Sequence, residues 1–304
     1  MFDFWGNELE RYYKLETLAN ATERLLERKD QFVVPSVQQV LGPAPVVSLA
    51  FELFQEGRHQ IIFRLGAANA KRKRAQFAFV VGKRSRRESK VAETEHANLR
   101  ALHQRAPDHV VRPFRGGLIY LPDRHGRSTH GREVYAYLTQ WLSGYHELGV
   151  GRNLQFIINE SPRHTFTIAE TEQIKGRVVE ILARTYDPAK RRCIAIPEVA
   201  SGDFVVTRPS GRGTPRIKLI ACRRLVRNVT PAKLIRRLVD TSWDWGGREF
   251  RLAPAAAETL FDGLAGALGP DEARAWLRKY VAAVSRGLFP EQEALPVEAL
   301  AGLV

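Results

Sequence analysis

Two carboxylates near a turn are the residues best suited to chemistry in this chain. The stretch from Pro197 to Leu225 carries Glu198 and Asp203 at the mouth of a short apolar run, Phe204-Val205-Val206. A Gly/Ser cluster, Ser210-Gly211-Arg212-Gly213, follows. A second run, Ile217-Lys218-Leu219-Ile220, then leads into Ala221-Cys222-Arg223-Arg224. Two β-prone runs flanking such a cluster predict a hairpin with a long loop. A carboxylate placed there can accept a proton from a hydroxyl, or hold Mg2+, which takes oxygen ligands. Read as plain structure, Asp203 is a turn or strand-entry residue and Glu198 a surface one.

The elements that would position these groups can be read in order. Residues 6–29 form a helix pattern, with Leu9, Tyr12, Tyr13, Leu25 and Leu26 among charged positions and Asn7 as an N-cap. Packing is the plain role for it; an amphipathic membrane-surface helix is the other. Pro35, Gly42, Pro43 and Pro45 are expected to break the chain. Strands are predicted over Val46–Phe54, Gln60–Leu65 and Gln76–Lys83, with a turn at Gln55–Gln60 and a basic loop at Ala67–Arg74. Glu88–His103 is a helix, with Val91, Ala92, Leu99 and Leu102 on one side. Val110–Tyr120 and Arg132–Trp141 are two more strands, joined by a polar loop containing Asp123-Arg124-His125-Gly126. Thr167–Tyr186 is a long helix with Gly176 as an interior blemish. After the hairpin, helices are predicted over Pro231–Asp240, Pro254–Leu268 and Asp271–Arg286. Strands first and helices afterwards make an α+β arrangement rather than an alternating doubly wound one.

The bulk numbers bound the function. The chain has 304 residues, 44% hydrophobic and 26% charged, enough for a large core in one or two domains. No apolar run approaches the roughly 18–20 residues of a membrane span, and the N-terminus does not read as a signal peptide. The expected location is therefore cytoplasmic. Cys193 and Cys222 are the two cysteines, read as reduced buried thiols, and the eight histidines are too scattered for a cysteine–histidine metal site. Net charge is +14 and the pI is about 10.1. Such a chain attracts polyanions: nucleic acid, anionic lipid or phosphorylated substrates. Local basic clusters lie at Lys71–Arg74, Lys83–Arg87, Lys190–Arg192, Arg223–Arg227 and Lys233–Arg237.

Lys83 at the end of the third strand, Glu95 in the following helix, Tyr137–Gly144 at the end of the fifth strand, and the hairpin of Glu198 and Asp203 fall in one order. That order resembles the protein-kinase-like fold over roughly residues 46–228. The resemblance implies a two-lobed α+β fold: an N-terminal helical extension over 1–45, a five-stranded N-lobe with one helix over 46–142, and a mainly helical C-lobe over 143–304. It implies an ATP site in which Lys83 contacts phosphates and pairs with Glu95. Thr139, Gln140 and Leu142 would line the adenine side, with Gly57 the one glycine of a sparse phosphate-covering loop. Glu198 falls at the position of the catalytic aspartate, and Asp203 at that of the metal-binding asparagine.

One position departs from the pattern. Ala221 stands where the family places its main metal-binding aspartate. Alanine has no side-chain oxygen, and the neighbouring Cys222 thiol is a poor Mg2+ ligand. Phosphoryl transfer depends on that metal to neutralise developing charge. The resemblance thus implies a degenerate, pseudokinase-like protein with weak or absent phosphotransfer, acting through a protein partner or an anionic ligand. Arg223 and Arg224 could supply part of a cation's charge. Ile217–Leu225 and Asp271–Tyr280 are also similar to bacterial lipopolysaccharide core (Kdo/heptose) kinases. That likeness implies the alternative, an active ATP- and Mg2+-dependent phosphotransferase on a sugar, a lipopolysaccharide-type glycan or another small molecule, peripheral at the inner membrane. A basic nucleic-acid-binding protein is the third reading, and it rests on charge alone.

Overall fold

The computed structural model describes residues 32–56, 60–83, 86–121, 132–151, 155–160, 162–196, 199–209, 215–239, 242–244, 249–251, 257–289 and 297–304. The helix expected over 6–29, Gly57, Glu198 and the loops at 123–126 and 210–213 lie outside the described residues. The chain divides into two compact units. The first runs to Arg100 and includes Arg112–Leu142; the second comprises Ala101–Val111 and Ser143–Val304.

The first unit is a five-stranded sheet in the order β1-β2-β3-β5-β4, with every pair antiparallel. Its strands are β1 (Val46–Glu56), β2 (Gln60–Asn69), β3 (Arg74–Gly82), β4 (Pro113–Leu121) and β5 (Arg132–Gln140). Burial alternates residue by residue along β2, so Ile61, Phe63, Leu65 and Ala67 face the core. Helix α1 (Val33–Leu41) precedes the sheet and packs Val33, Val37 and Leu41 against Phe77, Phe79 and Phe114. Helix α2 (Arg86–Arg105) stands between β3 and β4 in the chain. One inserted helix in a five-stranded antiparallel sheet is the α+β arrangement that the kinase-like resemblance implies for the N-terminal part.

Helix α1 corrects the expectation that Pro35 breaks the chain. Pro35 sits in the first turn, where backbone N–H groups have no intrahelical acceptor and a missing donor costs little. The helix ends instead at Gly42, whose φ of 85° suits glycine. The Ser36 hydroxyl donates to Phe32 O at 2.6 Å and accepts from Arg115 N at 3.1 Å, tying α1 to β4. The basic loop is shorter than expected, because β2 and β3 extend to Asn69 and Arg74. Buried Asn69 makes the tighter turn: its Oδ1 accepts from Lys71 N and Lys73 N, each at 3.0 Å, and its Nδ2 donates to Leu41 O at 2.9 Å.

The second unit opens with a small sheet in the order β11-β10-β6-β7-β8. Its strands are β6 (Tyr145–Val150), β7 (Phe156–Ile158), β8 (His164–Thr165), β10 (Phe204–Thr207) and β11 (Ile217–Leu219). The expected hairpin is present: Phe204 pairs with Leu219, Val205 with Lys218 and Val206 with Ile217. The expected strand from Val110 begins only at Pro113. Val110 instead bridges Leu219, with Val111 N donating to Leu219 O at 2.9 Å. Short strands β9 (Cys193–Ile194) and β12 (Leu225–Val226) pair with each other, as do β13 (Ser242–Asp244) and β14 (Glu249–Arg251). Cys193 and Cys222 are both buried, and burial pushes the Cys193 thiol up to about 11.

Helices α3 (Ile168–Arg184), α4 (Pro231–Val239), α5 (Ala257–Leu268), α6 (Pro270–Ser285) and α7 (Val297–Ala301) make up the rest of the unit. Helix α3 starts with a capping box. Glu170 N donates to Thr167 Oγ1 at 3.2 Å, and Thr167 N donates to the Glu170 carboxylate at 2.8 Å. Gly176 is a contact, not a blemish. A Cβ on Gly263 of α5 would stand 2.5 Å from Gly176 O and 2.7 Å from Val179 Cβ, so α3 and α5 meet backbone to backbone. Buried Glu180 of α3 accepts from Arg177 at 2.6 Å and Arg184 at 2.9 Å, which satisfies a carboxylate that burial would otherwise penalise. No helix among the described residues is long and apolar enough to cross a membrane.

Candidate functional site

The candidate residues fall into one group in each unit. In the first unit, Lys83 follows the last residue of β3, and Gly82 beside it pairs in register with Gln60 of β2. Gln60 Nε2 donates to Glu95 Oε1 at 2.8 Å, and the buried Tyr137 hydroxyl donates to the same oxygen at 2.5 Å. Glu95 is 3% exposed, so these donors offset part of its lost hydration. Burial and the Glu95 charge hold the Tyr137 hydroxyl well above its usual range, which keeps it a donor. Helix α2 can come this close because Gly82 lacks a side chain. A Cβ there would lie 3.0 Å from Ser89 Cα and 3.2 Å from Ala92 Cβ.

The next residue, His96, faces β4 and β5. Its Nε2 lies 2.9 Å from Phe114 O and so carries the proton, which leaves Nδ1 to accept from the Tyr135 hydroxyl at 2.8 Å. The imidazole stacks on Tyr137 at 4.9 Å. Burial lowers its pKa most; the Phe114 carbonyl opposes that, and Arg100 adds to it. The buried Thr139 lies between Ala78 and Pro113 in the sheet. Gln140 N donates to Arg112 O at 2.8 Å, so that N–H is already engaged. Leu142 is half-buried at the end of the unit.

In the second unit, Asp203 ends a 3-10 turn, Ser201–Asp203, immediately before β10. Its side chain is 3% exposed and both oxygens are occupied. Arg223 Nη2 donates to Oδ1 at 2.7 Å; Arg223 Nη1 and Ala200 N donate to Oδ2 at 3.0 and 2.8 Å. The Asp203 carbonyl accepts from Ile220 N at 2.8 Å and Ala221 N at 3.4 Å, which fixes the end of β11 against the turn. Burial pushes the Asp203 carboxyl up, while Arg223 and the Ala200 N–H pull against it. Ala221 is half-buried at the strand end.

The described donor set does not fit Mg2+. Mg2+ demands oxygen ligands in near-octahedral geometry. The sequence-predicted carboxylate among the described residues, Asp203, is taken by a guanidinium, and Ala221 offers no oxygen. No group of three or more His, Cys, Asp or Glu side chains that could hold a metal ion occurs among the described residues. Sequence reasoning missed two neighbours of this turn. Arg223 reads there as a charge aimed at phosphates, and the structure has it on Asp203. Glu147 of β6 pairs in register with Val205 and lies directly over Gly202, where a Cβ would collide with its carboxylate. The glycine at 202 is the one local hint of that approach.

No protein-family model matches the chain. No curated protein matches it either. Among solved structures it is similar to the Plasmodium vivax ethanolamine kinase at 9% identity, over 95% of this chain and 88% of that one, with a TM-score of 0.47. A likeness of that degree says nothing of this chain's activity or substrate.

Proposed function

We propose that the chain is a degenerate kinase-fold protein that binds an anionic ligand or a protein partner and transfers phosphate weakly or not at all. One observation carries this reading: both oxygens of the Asp203 carboxylate already accept hydrogen bonds, with Arg223 holding one end and sharing the other with Ala200 N. A carboxylate satisfied by an internal cation is a poor ligand for an added one, since the metal must displace a bidentate, charge-assisted pair. Ala221 removes the second donor that the resemblance would require. The test is a radiolabelled ATP assay of the full chain with Mg2+ or Mn2+ over a panel of sugars, glycans and small alcohols. The expected result is no turnover above background; robust turnover abolished by Lys83→Ala refutes the reading.

A second reading has its own support. Glu95 is buried and held by Gln60 and Tyr137, as an ordered phosphate-side glutamate would be in a working ATP-dependent phosphotransferase. It expects an ATP-induced thermal shift that requires Mg2+ and disappears in Asp203→Ala. A shift that is the same with and without the metal returns the choice to the degenerate reading.

A further inference from the structure

The first unit contains a pocket of about 690 Å3 apart from the group around Glu95. Gln39 of α1, His96 and Arg100 of α2, Phe114 and Arg115 of β4, and Tyr135 of β5 line it. The volume lies within the range of small-molecule sites, roughly 300–1,000 Å3.

The backbone makes the space. The β4–β5 register slips between Pro113 and Gly116, and the residues after the slip are glycines. A Cβ on Gly116 would stand 2.8 Å from both His96 Nδ1 and the Tyr135 hydroxyl; one on Gly117 would stand 3.0 Å from Phe32 Cδ1. Two polar groups of the floor are already satisfied, His96 by Phe114 O and Tyr135.

The walls differ. Arg100 and Arg115 are exposed, and no ion pair among the described residues includes either guanidinium. A third guanidinium, Arg112, lies over the Phe114 ring at 5.1 Å. None of the described residues that line the pocket carries a carboxylate. The Arg100 charge is felt at the floor, where it acts on both His96 and Tyr135. At Tyr135 the Glu93 charge acts more strongly than Arg100 and in the opposite direction, and the Glu93 carboxylate pairs with Lys90 at 2.8 Å. Two planar forks and the Gln39 amide, lining one concavity, suit an oxyanion that can accept from both guanidinium groups.

We infer that this pocket binds a small dianion, a phosphate monoester or a dicarboxylate, between Arg100 and Arg115. This inference does not depend on whether the chain transfers phosphate. Because His96 follows Glu95 directly and stacks on Tyr137, an occupant would rest on the same helix turn that holds Glu95.

The experiment titrates the full chain with inorganic phosphate, and separately with succinate, at constant ionic strength. Heat and the arginine Nε–Hε NMR signals are followed. Saturable binding of either dianion is expected, with shifts in Arg100 and Arg115. It should weaken at least tenfold in Arg115→Gln and vanish in Arg100→Gln/Arg115→Gln. Both residues are exposed, so the double variant should melt like the parent without ligand; if it does not, Arg100→Lys/Arg115→Lys, which keeps charge and loses the fork, must still bind more weakly than the parent. Lys73→Gln, at an exposed lysine that does not line the pocket, should leave the titration unchanged. Non-saturable titrations with both dianions, undiminished binding in the glutamine or lysine double variant, or loss of binding in Lys73→Gln each overturn the inference.

Discussion

Arg223 grips Asp203 with both terminal nitrogens, at 2.7 and 3.0 Å, although Asp203 ends the turn before β10 and Arg223 lies beyond the end of β11. Asp203 is almost fully buried, whereas the Arg223 side chain is 40% exposed. Removing the arginine therefore strands a carboxylate in a dry environment, and the cost falls mostly on the acid. Arg223→Ala should destabilise the second unit by about 3 kcal/mol. Asp203→Asn/Arg223→Ala should be more stable than Arg223→Ala alone, because the stranded charge is gone. Urea denaturation of the three proteins at one pH checks both outcomes.

The contact between α3 and α5 separates two glycine substitutions that look alike in sequence. Gly263→Ala drives a methyl group to 2.5 Å from Gly176 O and should cost about 2 kcal/mol as an overpacked helix pair. Gly176→Ala meets Thr259 Cγ2 at 3.3 Å, a side-chain contact that can give, and it gains helix propensity. It should be near neutral. Thermal melts of the two variants should differ by several degrees in that order.

Tyr137→Phe removes a hydrogen bond to Glu95 Oε1 that is shorter than the one from Gln60, while keeping the ring stacked on His96. Loss of a donor to a buried carboxylate should cost about 2 kcal/mol. Tyr135→Phe, which removes a donor to a neutral imidazole, should cost about 1 kcal/mol. Denaturant midpoints of the two variants give the comparison.

His96 gives stability a pH dependence with a definite sign. Its pKa in the fold is lowered from the ordinary 6.5, chiefly by burial. As pH falls through that ordinary value the unfolded chain takes up the proton first, so the contribution is complete above it and is lost below it. His109, also lowered by burial, acts in the same direction. The melting temperature should fall from pH 7.5 to 5.5, about two units spanning the ordinary imidazole range. His96→Gln should flatten part of that slope.

Much of the first unit could be read from the chain, because β-branched and aromatic residues alternate along β2 and β3 and the helix after them is long and periodic. The hairpin was legible for the same reason. Helix α1 was not, since Pro35 reads as a breaker unless it is known to fall in a first turn. Strands β7 and β8 are too short to carry a period; β7 exists through pairing with β6, and β8 through pairing with β7. Asp203 and Ala221 could be singled out from one chain segment. The grip of Arg223 could not, because a contact across a hairpin leaves no mark on local sequence. Gly176, by contrast, left a mark that was misread: an unfavourable helix residue signalled a neighbour.

The two thiols offer a use that has nothing to do with catalysis. Cys193 and Cys222 are the chain's two cysteines; both belong to the second unit and both are buried. With Cys193 pushed up to about 11, almost none of it is thiolate at neutral pH. Alkylation by iodoacetamide must therefore wait for that unit to open. Labelling rate becomes a clock for its breathing, read without interference from the other half of the chain.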